Sequence, residues 1–194
     1  MIARSRFRPR ILVLPVAALL IYAAVEYGPQ TSPRRRSTQS SVAVMRAPLF
    51  EGTDSTRSLF RLHGWLGRHT IFIVFFDGEK GAAADPVLSH LLQHTADLKR
   101  TNTYVAAIST ALPSQNSTAG FPSSFALVTD LPPDHSIHRS WNCYDDTADK
   151  PVTAVFLIDR VGNVPAKDGH PMPLQDAHAE IHRLLGSAHE PANP

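Results

Sequence analysis

Ile71-Phe72-Ile73-Val74-Phe75-Phe76 is an unbroken run of β-branched and aromatic residues, and Asp77-Gly78-Glu79-Lys80-Gly81-Ala82-Ala83-Ala84-Asp85-Pro86 follows it directly. A run of this composition predicts a central strand buried on both faces, since a half-exposed strand would alternate apolar and polar residues. The Gly/Ala-rich turn ends in Asp85-Pro86, an N-cap and a first-position proline that together open a helix. Val87, Leu88, Leu91, Leu92 and Leu98 then share one helical face, which predicts a helix ending near Arg100.

Downstream, residues 104–108 read as a short buried strand, and residues 111–124 as a Ser/Pro/Gly-punctuated loop with room for one helical turn. Residues 125–130 give a third strand and residues 133–141 a short helix. Residues 152–158 form a fourth strand, and Asp159-Arg160-Val161-Gly162-Asn163 a hairpin turn with Gly162 where positive φ is needed. A last helix starts after Pro173 with Leu174, Ala177, Ile181, Leu184 and Leu185 on one side. Upstream, Ala47-Pro48-Leu49-Phe50 and Ser58-Leu59-Phe60-Arg61-Leu62 suggest an opening hairpin or extended arm. This order implies an α/β domain with a mixed central sheet and helices on both faces.

Charge divides the 194 residues unevenly. Residues 1–46 carry eight Arg and one Glu, a net of +7, whereas residues 47–194 carry eleven Lys or Arg against sixteen Asp or Glu, a net of −5. The domain therefore lacks the clustered cations that nucleic-acid binding requires. Arg4, Arg6, Arg8 and Arg10 precede an apolar stretch, the layout of a secretory signal or signal-anchor. Small residues do not occupy both positions of a cleavage site, which favours an uncleaved anchor. The expected organisation is a basic cytoplasmic segment at 1–10, a transmembrane signal-anchor at 11–27 and a flexible linker at 28–46. The domain follows at 47–187, then a disordered tail at 188–194. The nearer arginine cluster keeps the N-terminus cytoplasmic and places the domain on the extracytoplasmic side of a single-pass membrane protein.

The order of elements and several pieces of sequence resemble the peroxiredoxin branch of the thioredoxin-like superfamily, the alkyl hydroperoxide reductase and thiol-specific antioxidant domains. The pieces are Ala47-Pro48-Leu49-Phe50, Leu66-Gly67-Arg68-His69 leading into residues 71–76, and Val105-Ala106-Ala107-Ile108-Ser109. Phe125-Ala126-Leu127-Val128-Thr129-Asp130 and residues 154–163 complete a match over about 140 residues. In that family a Pro-x-x-x-Thr-x-x-Cys segment follows the first core strand, and an Arg sits just inside a later strand. Aligned from Phe75-Phe76, Gly78 stands at the proline, Ala82 at the threonine, Asp85 at the cysteine and Thr153 at the arginine. The resemblance thus implies a thioredoxin-like fold whose catalytic motif is missing. A thiolate is the nucleophile in disulfide exchange and peroxide reduction, and an oxygen side chain does not replace it. The expectation is a non-catalytic binding or structural protein. Its cleft, framed by residues 77–86 and the loop before Val152, would accept a protein, peptide or small molecule. A homodimer is implied by the resemblance alone.

Two other chemistries compete with that expectation. Cys143 is the one cysteine, so no intramolecular disulfide forms. It could serve a thiol-dependent antioxidant or oxidoreductase, or be a small apolar residue at the start of a strand. His90 and His94 are four apart on the first helix, and His178 and His182 four apart on the last. Each pair could chelate a metal, and the fold expected from the resemblance puts both helices on one side of the sheet; the plainer reading is histidine covering a core edge. Asn116-Ser117-Thr118 fits a glycosylation sequon, and residues 145–149 read as a cation-binding run or, more plainly, as a solvated acidic loop. No phosphate-binding glycine loop or Gly-x-Ser-x-Gly elbow is present, and no cofactor is expected.

Overall fold

In the computed structural model, which describes residues 43–115 and 120–186, residues 71–75 lie in an interior strand of a sheet, Phe76 follows directly, and all six are buried. The basic segment 1–10, the anchor 11–27, the linker up to residue 42, the sequon and the tail 188–194 lie outside the described residues. Among the described residues no helix is long and apolar enough to cross a membrane.

In chain order the elements are β1 (Ala43–Arg46), β2 (Glu51–Asp54), β3 (Leu59–Arg61), β4 (Thr70–Phe75), α1 (Pro86–Gln93), α2 (Thr95–Arg100), β5 (Thr103–Ser109) and β6 (Phe125–Thr129). They continue with α3 (Ser136–Ser140), β7 (Tyr144–Asp145), β8 (Lys150–Pro151), β9 (Ala154–Ile158), β10 (Asn163–Lys167), β11 (His170–Pro171) and α4 (Ala177–Gly186). The main sheet has the order β3-β2-β6-β5-β4-β9. β4 runs parallel to β5 and β5 to β6, while β9 and β2 join antiparallel at either side. The sheet is mixed, as expected.

Alternation along β4 divides the core. Ile71, Ile73 and Phe75 face one cluster with Phe60, Ile137, Trp141, Cys143 and Phe156. Phe72, Val74 and Phe76 face the other, with Leu88, Leu91, Leu98, Ile181 and Leu185. Both faces of the strand are covered, so the apolar run has no polar positions. α1, α2 and α4 therefore lie on one face, and α3 on the other.

Several boundaries differ from expectation, each for a local reason. Residues 43–46 are not part of a linker: they form β1, which pairs antiparallel with β10 from Ala43–Ala166 to Arg46–Asn163. The opening hairpin is β2–β3, while Ala47 and Phe50 are buried outside any strand. The helix expected to run to Arg100 breaks at His94 (φ −102°, ψ 23°). There the Thr95 hydroxyl donates to the Leu92 carbonyl at 2.6 Å, competing with the helical ladder. The short helix begins at Ser136 rather than 133, because His135 takes a left-handed φ of 44°. The fourth strand starts at Ala154, leaving Val152 and Thr153 exposed before it. The acidic loop 145–149 is the tip of the β7–β8 hairpin. The 159–163 turn forms as predicted: Gly162 has φ +91°, and Asp159 Oδ1 accepts from the Val161 and Asn163 backbone N–H groups at 2.9 and 2.8 Å.

Candidate functional site

A cavity of about 390 Å³ opens at the carboxyl end of β4, where a parallel strand hands over to the start of α1. Val74, Phe75, Asp77, Lys80, Asp85, Thr153 and Ala154 are among its walls. A neighbouring concavity shares Asp77 and Thr153 and adds Glu79, Lys150 and Val152. The cleft framed by residues 77–86 and the segment before Val152 is therefore present. Its far wall, Leu174, Gln175 and Ala177, was not legible as part of a site, because it arrives from the approach to α4 some ninety residues later.

The four degenerate positions do specific structural work. Asp85 Oδ1 accepts the Val87 and Leu88 backbone N–H groups, each at 2.9 Å, so its carboxylate is the N-cap of α1. Ala82 is buried against the α1/α4 side of the core and supplies no hydroxyl. A Cβ on Gly78 would stand 2.7 Å from Ala111 Cβ and 3.0 Å from Ala111 N, so the turn has closed onto residues 109–111 and leaves no room for a proline ring. Thr153 is exposed on the cleft wall and brings no charge to it.

The electrostatics of the cleft follow. Asp77 pairs with Lys80 at 3.1 Å and accepts the Glu79 backbone N–H at 3.1 Å. The Lys80 hydrogen bond, aided by its charge and by the backbone, holds the Asp77 carboxyl below its usual range. Two aspartates and one lysine line the cavity. An anionic mouth of this kind disfavours a second anion, the reverse of what an activated thiolate needs.

Cys143 does not line the cleft. It is 2% exposed, packed in the cluster on the opposite face, and its thiol donates to the Trp141 carbonyl at 3.5 Å. Burial pushes it up to about 12. Burial therefore favours the protonated thiol at neutral pH, whereas the thiolate is the nucleophile.

Close to Cys143 lies a buried pair that the sequence did not disclose. Asp130, at the end of β6, meets His138 Nδ1 at 2.6 Å. Its oxygens also accept the His138 and Ile137 backbone N–H groups at 2.8 and 3.2 Å. Burial raises the Asp130 carboxyl, but these bonds and the His138 charge outweigh it and hold the group below its ordinary 3.8. Phe75 packs against the His138 ring at 4.9 Å, and Trp141 and Phe156 close around Phe75. The only cue in sequence was an Asp closing a strand eight residues before a His.

The paired histidines do come together. His90 is 4.8 Å from His94, 4.8 Å from His178 and 5.0 Å from His182, measured between ring centroids. Burial, then the charges of the other three, lowers the His90 pKa from its usual 6.5. Among the described residues, no three His, Cys, Asp or Glu side chains stand in an arrangement that already fits a metal ion.

No family model and no curated protein matches the chain. Solved structures do. Peroxidoxin BcpB from Mycobacterium tuberculosis superposes with a TM-score of 0.55 at 15% identity, covering 74% of this chain and 95% of that one. The mitochondrial 2-Cys peroxiredoxin of Plasmodium falciparum gives a TM-score of 0.51 at 18% identity, covering 74% and 91%. BsSco, a member of the Sco family of cytochrome c oxidase assembly proteins, gives 0.51 at 12% identity, covering 77% and 97%. At such identities the likeness is one of fold: this chain has a peroxiredoxin-like thioredoxin fold, of the kind that BsSco also carries.

Proposed function

We propose that the chain is a membrane-anchored, peroxiredoxin-like domain that binds a peptide or small molecule at the 77–86 cleft and reduces no peroxide. The observation that carries this reading is Asp85: the residue at the mouth of α1 is a carboxylate committed to two backbone N–H groups. The buried, unactivated Cys143 supports it further. The anionic lining favours a neutral or cationic ligand over an anionic one.

Peroxide consumption with thioredoxin or dithiothreitol as reductant tests the reading. The wild-type chain and Cys143→Ser should both run at the blank rate. Turnover that Cys143→Ser abolishes would overturn it. The anchor has its own test: the full chain should stay with membranes through alkaline carbonate extraction, and a chain lacking residues 1–27 should not. The homodimer implied by the resemblance is tested by sedimentation of the detergent-solubilised chain, and a monomer at assay concentration removes it.

A further inference from the structure

Four imidazoles meet where α1 and α4 pack, one helical turn beyond the cleft. His90 comes from α1 and His94 from its C-cap; His178 and His182 lie one turn apart on α4. Beneath them Leu88, Leu91, Ile181 and Leu185 fill the core. Above them His178 and His182 are exposed. The rings thus stand on a fixed apolar floor with access from solvent.

The separations of their ring centres are close to those of imidazoles around one ion. Two imidazoles bound to a tetrahedral zinc, with Zn–N near 2.0–2.1 Å, place their ring centres about 5 Å apart. His90–His94, His90–His182 and His94–His182 are 4.8, 5.0 and 5.9 Å apart. His90 Nε2 is buried and has no hydrogen-bond partner, a costly condition that a metal bond would relieve. His94 Nδ1 faces Asp97 Oδ2 at 3.4 Å, the carboxylate–histidine arrangement that orients a metal ligand and leaves its Nε2 for the ion.

We infer that His90, His94 and His182 form a binding site for a divalent transition metal of the zinc type, with His178 or water completing the tetrahedron. As the side chains stand their nitrogens do not converge on one point. Binding therefore turns the rings about their side-chain torsions, which the exposed position of His182 and the partly exposed positions of His90 and His94 permit. The backbone, held by the packed core, already sets the spacing. This site is separate from the cleft, so its fate does not depend on the reading of residues 77–86.

Isothermal titration of the full, untagged chain in detergent with zinc chloride tests the inference. One equivalent should bind, and His182→Gln, an exposed substitution that the fold tolerates, should weaken binding at least tenfold. His90→Ala should do the same, with circular dichroism reporting that it folds. His63→Gln, exposed on the 3₁₀ turn at residues 62–64, should bind as the wild type does. Zinc should also raise the melting temperature of the wild type but not of His182→Gln. No heat of binding, or equal affinity in wild type and His182→Gln, overturns the site.

Discussion

Asp85 and Asp130 perform the same elementary act on opposite sides of the sheet. Each carboxylate accepts two backbone N–H groups near the start of a helix, Asp85 for α1 and Asp130 for α3. Their surroundings differ. Asp85 sits partly exposed at the cleft, where water solvates whatever the helix does not use. Asp130 is 2% exposed and has no water to draw on: Oδ1 accepts the Ile137 N–H, and Oδ2 accepts the His138 N–H and also meets His138 Nδ1 at 2.6 Å. A cap at the surface is a modest local device; in the core the same contact becomes a charge-assisted network whose loss strands several polar groups. The first caps the helix at the mouth of the cleft, and the second holds the opposite layer together.

The sharpest way to break the comparison is Asp130→Ala. It orphans His138 Nδ1 and two buried N–H groups, and should cost about 3 kcal/mol in urea unfolding. A loss no larger than that of Asp85→Ala would show that burial makes no difference. A proton does the same work more gently. The folded Asp130 carboxyl lies below its ordinary 3.8. Its stabilisation is therefore present above about pH 4 and lost as pH falls through the folded value. Acid unfolding of Asp130→Asn should lose less stability across that window than the wild type does.

Gly78→Ala comes next, at about 2 kcal/mol, since its Cβ meets the fixed backbone and side chain of Ala111. A neutral result would mean that the turn can move back off residues 109–111, and that the cleft is more adaptable than drawn. Asp85→Ala is the smallest, about 1 kcal/mol for a lost N-cap. Its companion, Asp85→Cys, restores sulfur without the hydroxyl, the cation or the proline of the resembled motif. It should react with peroxide no faster than free cysteine, measured by stopped-flow. Rapid reaction there would show that the scaffold alone activates a thiol.

Local chemistry made much of the fold legible. The 71–76 run required burial on both faces because it offered no polar residue for a wet one. Asp85-Pro86 required a helix start because side-chain acceptor and fixed φ act within three residues, and Asp159 with Gly162 defined a turn by the same short reach. The thiol-free mouth of α1 was equally plain, being a matter of which residue follows the strand at a fixed spacing. Where the reading failed, a competing contact decided: the Thr95 hydroxyl ended α1 at His94, and β10 recruited residues 43–46 into a strand.

Only the tertiary structure decided which side chains meet beyond the reach of a single turn or cap. The pairing of Asp130 with His138 depends on α3 folding back over the end of β6. The wall of the cleft at residues 174–177 and the meeting of His90 with His178 and His182 depend on α4 packing beside α1. The placement of Cys143 on the face away from the cleft depends on which side of the sheet its segment crosses. Periodicity and capping act through bonds spanning a few residues and are written in the local order of side chains. Juxtaposition across the chain is set by how the two apolar faces of one sheet are covered, and that is a property of packing.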